Sequence, residues 1–138
     1  MTEEQIREGN KLIAEFDGWH HVETPKNKGK GHWNKPAGPY AHWDLSSMKY
    51  HSSWDWLMPV VEKIENMRDE IIDKVYVSIN GTECGLWNYF DVKDILREKG
   101  EPGVLRVKNS DKTKIIATWR TVTDFIKWYN SQNKKHKP

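Results

Sequence analysis

Cysteine is nearly absent: Cys84 stands alone in 138 residues. A single thiol forms no internal disulfide and no cysteine-rich zinc site, so the fold has to rest on its apolar core. Long apolar runs are missing too, and none approaches the roughly 20 residues that a membrane helix needs. The first residues, MTEEQIREGNKLIAEF, are acidic and amphipathic and lack the basic-then-apolar order of a secretory signal. A soluble, cytoplasmic protein with no membrane partner is therefore expected. Charge of one sign is scarce: 22 basic residues stand against 20 acidic ones, for a net charge of +2. That balance excludes a histone-like polycation and disfavours nucleic acid as a partner. Walker, GxGxxG and GxSxG motifs are all lacking, and Cys84 has no histidine near it in sequence. No catalytic residue and no cofactor is assigned, and a binding protein is expected rather than an enzyme.

What the chain has in excess is tryptophan, 8 residues beside 5 Tyr and 3 Phe. Each buries a large apolar area, roughly 150–250 Å², so a chain of this length builds one core and one domain, expected over residues 1–132. Residues 133–138 read as a basic, frayed tail.

The hydrophobic patterning predicts an α+β fold, an antiparallel sheet with an Asn-Gly hairpin packed against about three helices. The first helix is expected from Thr2 to Phe16, opened by the capping box Thr2-Glu3-Glu4-Gln5 and closed at Asp17-Gly18. Its apolar stripe is Ile6, Leu12, Ile13 and Phe16. A second helix is expected from Ser52-Ser53 to about Met67, with Trp56, Leu57, Val60, Val61 and Ile64 on its buried face and Pro59 in its early part. Val75, Val77 and Ile79 alternate with Tyr76 and Ser78, and Asn80-Gly81 signals a type I′ turn into a return strand over Thr82–Trp87. A short helix over Asp91–Lys99, a turn at Glu101–Gly103 and a strand over Val104–Lys108 follow. Ser110 is expected to cap the last helix, whose stripe is Ile115, Trp119, Val122, Ile126 and Tyr129, widened by Ile116 and Phe125.

The stretch from about 20 to 51 is different. Glycines and prolines interrupt it, four lysines fall between Lys26 and Lys35, and only two short strands suggest themselves, His20–Val22 and Ala41–Leu45. A loop of such length in a compact domain is usually functional or disordered. Trp33 and Trp43 lie in it with no apolar period to claim them. Aromatic faces among lysines suit a nucleobase with phosphates, stacking being worth roughly 1–3 kcal/mol per base. Folding of these rings onto the core as a cover is the plainer alternative. Tyr50-His51-Ser52-Ser53 precedes a helix start, where serine hydroxyls and free N–H groups either cap the helix or hold an anion. Five histidines, His20, His21, His32, His42 and His51, crowd the same stretch, but no HxxxH pair or HExxH motif occurs and no metal ligand is assigned.

The candidate ligand site therefore comprises Trp33, Tyr40 and Trp43 as stacking groups. Lys28, Lys30, Lys35, Ser52, Ser53 and Arg120 are its phosphate contacts, and His42, Asp44 and His51 its hydrogen-bonding selectors. The expected partner is a small phosphorylated nucleotide. A homodimer or higher homo-oligomer is expected to help enclose it.

Two blocks, YHSSWDWLMPVVEKIE (Tyr50–Glu65) and ATWRTVTDFIKWYN (Ala117–Asn130), resemble short proteins of bacteriophages and prophages of Bacteroidetes-type hosts. The resemblance implies action in the host cytoplasm, by binding rather than catalysis. Some such families sequester cyclic or ADP-ribose-type nucleotide immune signals. Two other classes remain open: a protein–protein inhibitor of a host defence complex, anti-CRISPR-like, with Trp and Tyr as anchors, and a single-stranded nucleic-acid-binding accessory protein. A nucleotide-degrading enzyme is the fourth alternative.

Overall fold

A computed structural model describes residues 1–22, 32–34, 44–69, 71–72, 74–88 and 106–136 of the chain. Among the described residues the architecture is α+β: three helices and a three-stranded antiparallel sheet whose inner face packs on the last helix.

Helix α1 spans Glu3–Phe16. The capping box forms as expected, with the Gln5 backbone N–H donating to Thr2 Oγ1 at 3.1 Å and the Thr2 backbone N–H to Gln5 Oε1 at 2.9 Å. Gly18, at φ +95°, closes the other end. The Trp19 N–H reaches back to the Ala14 carbonyl at 2.9 Å and the Gly18 N–H to that of Glu15 at 3.3 Å, a Schellman pair. The buried residues are Gly9, Asn10, Ile13 and Ala14, so the face is smaller and more polar than the apolar stripe implied. The reason is Trp119, whose indole lies against Gly9: a Cβ there would come 2.1 Å from Trp119 Cζ2.

Strand β1, His20–Val22, pairs antiparallel with β2, His32–Asn34, in the register His21↔Trp33. The expected strand over Ala41–Leu45 lies partly outside the described residues. Its last member instead begins a 3₁₀ turn, Leu45–Ser47, built on i→i+3 bonds from the Ser47 N–H to Asp44 and from the Met48 N–H to Leu45.

Helix α2 is Trp54–Glu65, with Ser53 at its N-cap and Leu57, Val60, Val61 and Ile64 buried. The cap makes no side-chain bond. The helix ends at Asn66, whose backbone and side chain both donate to the Glu62 carbonyl, slightly before the expected Met67.

Strands β3, Val75–Asn80, and β4, Glu83–Asn88, form the hairpin, and β5, Arg106–Ser110, adds to β4. Asn80 pairs with Glu83, so the loop residues are Gly81 and Thr82, one position later than expected. Gly81 has φ +59° and Thr82 does not share a positive φ. A type I′ turn needs both, so this is the pattern of a type II′ turn with glycine first. Of the strand expected over Val104–Lys108, the first two residues lie outside the described residues, and β5 continues to Ser110. The helix expected over Asp91–Lys99 and the turn at Glu101–Gly103 lie outside the described residues.

Helix α3, Lys114–His136, carries the expected stripe, with Trp119, Val122, Phe125 and Ile126 fully or nearly buried. Ser110 does not cap it. Ser110 ends β5, and Thr113 caps instead, its Oγ1 accepting the Ile116 N–H at 3.3 Å. The helix runs to His136, through most of the stretch read as a tail. Thr121 faces the sheet. Thr121 Oγ1 donates to the Cys84 carbonyl at 3.1 Å and accepts from Asn109 Nδ2 at 3.1 Å, so this helix–sheet seam is hydrogen-bonded as well as apolar.

Most of the described tryptophans belong to the core. Trp19 stacks on Trp56 with centroids 6.4 Å apart, and Tyr50 meets Trp56 edge-on at 5.2 Å. Trp19 Nε1 donates to the Tyr50 hydroxyl at 3.0 Å, which donates to Asp17 Oδ2 at 2.8 Å. Burial, and then the Asp17 carboxylate beside it, push the Tyr50 phenol well above its ordinary pKa, so it remains a donor.

Candidate functional site

A concavity among the described residues lies between the outer face of α1 and the segment from Asp44 to His51. It is an open cleft of about 1670 Å³. Three residues singled out from sequence meet in it, Trp33, Asp44 and His51, although they come from separate parts of the chain. Trp33 enters differently from expectation. The β1–β2 ladder turns it inward until only 5% of its surface is exposed, so it forms an apolar wall rather than an open stacking platform.

Behind the cleft is a buried hydrogen-bond node. Asn10, 2% exposed, uses all of its side chain. Its Oδ1 accepts from Trp119 Nε1 at 2.9 Å, and its Nδ2 donates to the Met48 carbonyl at 3.2 Å and contacts His51 Nδ1 at 3.0 Å. Burial holds the His51 pKa below its ordinary value, so the ring is neutral near pH 7.

The charge around the cleft is not that of a phosphate seat. Among the described residues lining it, the carboxylates are Glu3, Glu4, Glu8, Glu15 and Asp44, and the cations only Arg7 and Lys11. Carboxylates are acceptors, suited to ribose hydroxyls and exocyclic amines.

The remaining candidates divide in two groups. Ser52 and Ser53 follow His51 into α2 but do not line the cleft. Arg120 is not brought there either: its Nε donates to Asp111 Oδ2 at 2.7 Å beside the start of α3. The Lys112 N–H and this guanidinium hold the Asp111 carboxyl below its usual range. Lys28, Lys30, Lys35, Tyr40, His42 and Trp43 lie outside the described residues. Among the described residues, no cluster of three or more His, Cys, Asp or Glu side chains is arranged to hold a metal ion, and no helix is long and apolar enough to cross a membrane.

Asn10 was not singled out from sequence. The signal was present: it occupies the i+4 position from Ile6 and the i−3 position from Ile13, a polar residue on an apolar stripe. A second missed feature is the outer face of the sheet. Tyr76 and Trp87 face each other across β3 and β4 with rings 6.2 Å apart and near parallel, each about two-fifths exposed. Beside them runs a groove of about 530 Å³ along Ser78, Gly85 and the Glu83–Lys108 ion pair.

Comparison with known proteins yields no matching family model, no matching curated protein and no matching solved structure.

Proposed function

We propose that the protein is a non-catalytic binding protein that captures a small phosphorylated nucleotide. In the phage setting implied by the resemblance, it sequesters a cyclic nucleotide or cyclic ADP-ribose-type immune signal of the host. The observation that carries this reading is the convergence of Trp33, Asp44 and His51 on one cleft backed by the Asn10 node. An apolar wall, a neutral imidazole and carboxylate acceptors suit the heterocycle and ribose of a nucleotide better than its phosphates. The phosphates, in this reading, fall to Lys28, Lys30 and Lys35, which flank Trp33 in sequence, and base stacking to Tyr40 and Trp43.

Calorimetry with a panel of cyclic dinucleotides and cyclic ADP-ribose isomers tests it. Binding is expected to at least one, and chromatography after heat release is expected to return that ligand intact. No heat with any of them counts against the reading, and a ligand of changed mass turns it into an enzyme.

The exposed Tyr76–Trp87 pair favours one alternative, an inhibitor that docks on a host protein, because paired aromatics are common interface anchors. A stoichiometric protein partner whose capture is lost in Trp87→Ala, with no small-molecule binding, selects that alternative.

A further inference from the structure

Two of the three partners of the Asn10 side chain have a single hydrogen-bonding role. The indole Nε1–H of Trp119 only donates, so the atom facing it is the amide oxygen. The Met48 carbonyl only accepts, so the atom facing it is the amide nitrogen. Two independent groups therefore fix the amide in one orientation. Its second N–H points at His51 Nδ1, 3.0 Å away. A ring nitrogen that receives a hydrogen bond carries no proton, so the proton of the neutral ring sits on Nε2.

We propose that Asn10 and Trp119 lock His51 as the Nε2–H tautomer, so that His51 offers the cleft a fixed hydrogen-bond donor and recognises an acceptor, a carbonyl oxygen or an unprotonated ring nitrogen of a planar heterocycle. Nε2 lies across the ring from the nitrogen that Asn10 engages, and Asn10 is buried while His51 is half-exposed on the cleft wall. No other hydrogen bond to His51 forms among the described residues, so its donor is unspent. Protonating Nδ1 would set N–H against N–H. Turning the amide over to relieve this would set N–H against the indole N–H and oxygen against the Met48 carbonyl. The cleft carboxylates, Glu3, Glu4, Glu8 and Glu15 on α1 and Asp44 opposite, favour a charged imidazole, and Arg7 and Lys11 oppose it. The lock and burial outweigh the carboxylates, in keeping with the lowered pKa.

The tautomer is a property of the free protein, whereas the recognition half rests on the cleft being the ligand site proposed above. Long-range ¹H–¹⁵N correlation spectra of histidine-labelled protein, recorded between about pH 8 and about pH 5, test the first half. One of the six histidines, identified by its loss in His51→Gln, is expected to show the Nε2-protonated neutral pattern and to titrate below 6.5. An Nδ1-protonated ring, or a titration at or above 6.5, overturns the lock. In Asn10→Asp the carboxylate accepts from both neighbours, so His51 is expected to titrate above 6.5. If that variant does not fold, the spectra of the unaltered protein still decide the matter.

Two fragments of similar shape test the second half at neutral pH: pyridine, which only accepts, and pyrrole, which only donates. Pyridine is expected to shift the His51 Nε2 resonance and pyrrole is not. Equal shifts, or none with either, overturn the recognition half. A pyridine response beside an empty calorimetric panel overturns the nucleotide reading and leaves this one standing.

Discussion

Helix α1 has two faces that obey different rules. The inner face is Gly9, Asn10, Ile13 and Ala14, closed against Trp119 with no room for an added methyl. The outer face is charged and borders an open cleft. On the function proposed above, the difference divides stability from binding. Residues on the inner face hold the fold, those on the outer face would meet the ligand, and Asn10 couples the two by reaching from Trp119 to His51. If this division is right, substitutions on the two sides should fail in different assays.

The largest effect is expected at Gly9. Gly9→Ala places a methyl against the buried Trp119 ring, and overpacking of this kind costs about 1–3 kcal/mol, occasionally more. Chemical denaturation should show the loss, and the Trp119 fluorescence and indole N–H signal should move with it. An unchanged midpoint would mean that α1 and α3 are not in close contact.

A smaller loss is expected from Tyr50→Phe, just past the C-terminal end of α1. It strands the buried Trp19 N–H and takes one hydrogen bond from Asp17, and an unsatisfied buried group costs about 1–3 kcal/mol. Asp17 is partly exposed, so water can replace one of the two bonds and the result should fall at the lower end. Across the cleft from the outer face, Asp44→Asn is expected to leave stability within about 0.5 kcal/mol, as exposed substitutions usually do, while weakening ligand capture. A large stability loss there would erase the distinction between the two faces.

The elements with strong local chemistry were legible in the sequence. The capping box and Gly18 bracket α1 to within a residue, and the centre of the α3 stripe, Trp119, Val122, Phe125 and Ile126, is buried as its spacing predicts, while Ile115, Ile116 and Tyr129 at its ends are half-buried. The hairpin was legible in position but not in type, since Asn-Gly is equally compatible with Asn closing the strand and Gly opening the turn. Strand β2 was not legible, because three residues, His-Trp-Asn, are too few to display a period of two. For the same reason Trp33 looked like a loop aromatic, and only its pairing with β1 turns it into the core. Ser110 and Thr113 are both good caps by residue type, and the length of β5 decides between them. His51 and Asp44 were found as candidates because their residue types stand out in an irregular stretch. Asn10 was passed over because an apolar stripe draws attention to its apolar members.

The central claim is that the cleft beside α1 is where a nucleotide is held, with His51 as its donor. Calorimetry of the unaltered protein and of His51→Phe, against whichever cyclic nucleotide binds, tests it most directly, with thermal melting of both as the control on folding. The account predicts that His51→Phe melts as a folded protein and loses the binding heat, whereas His51→Gln, which keeps a donor, retains part of it. Full binding by a folded His51→Phe protein would contradict it.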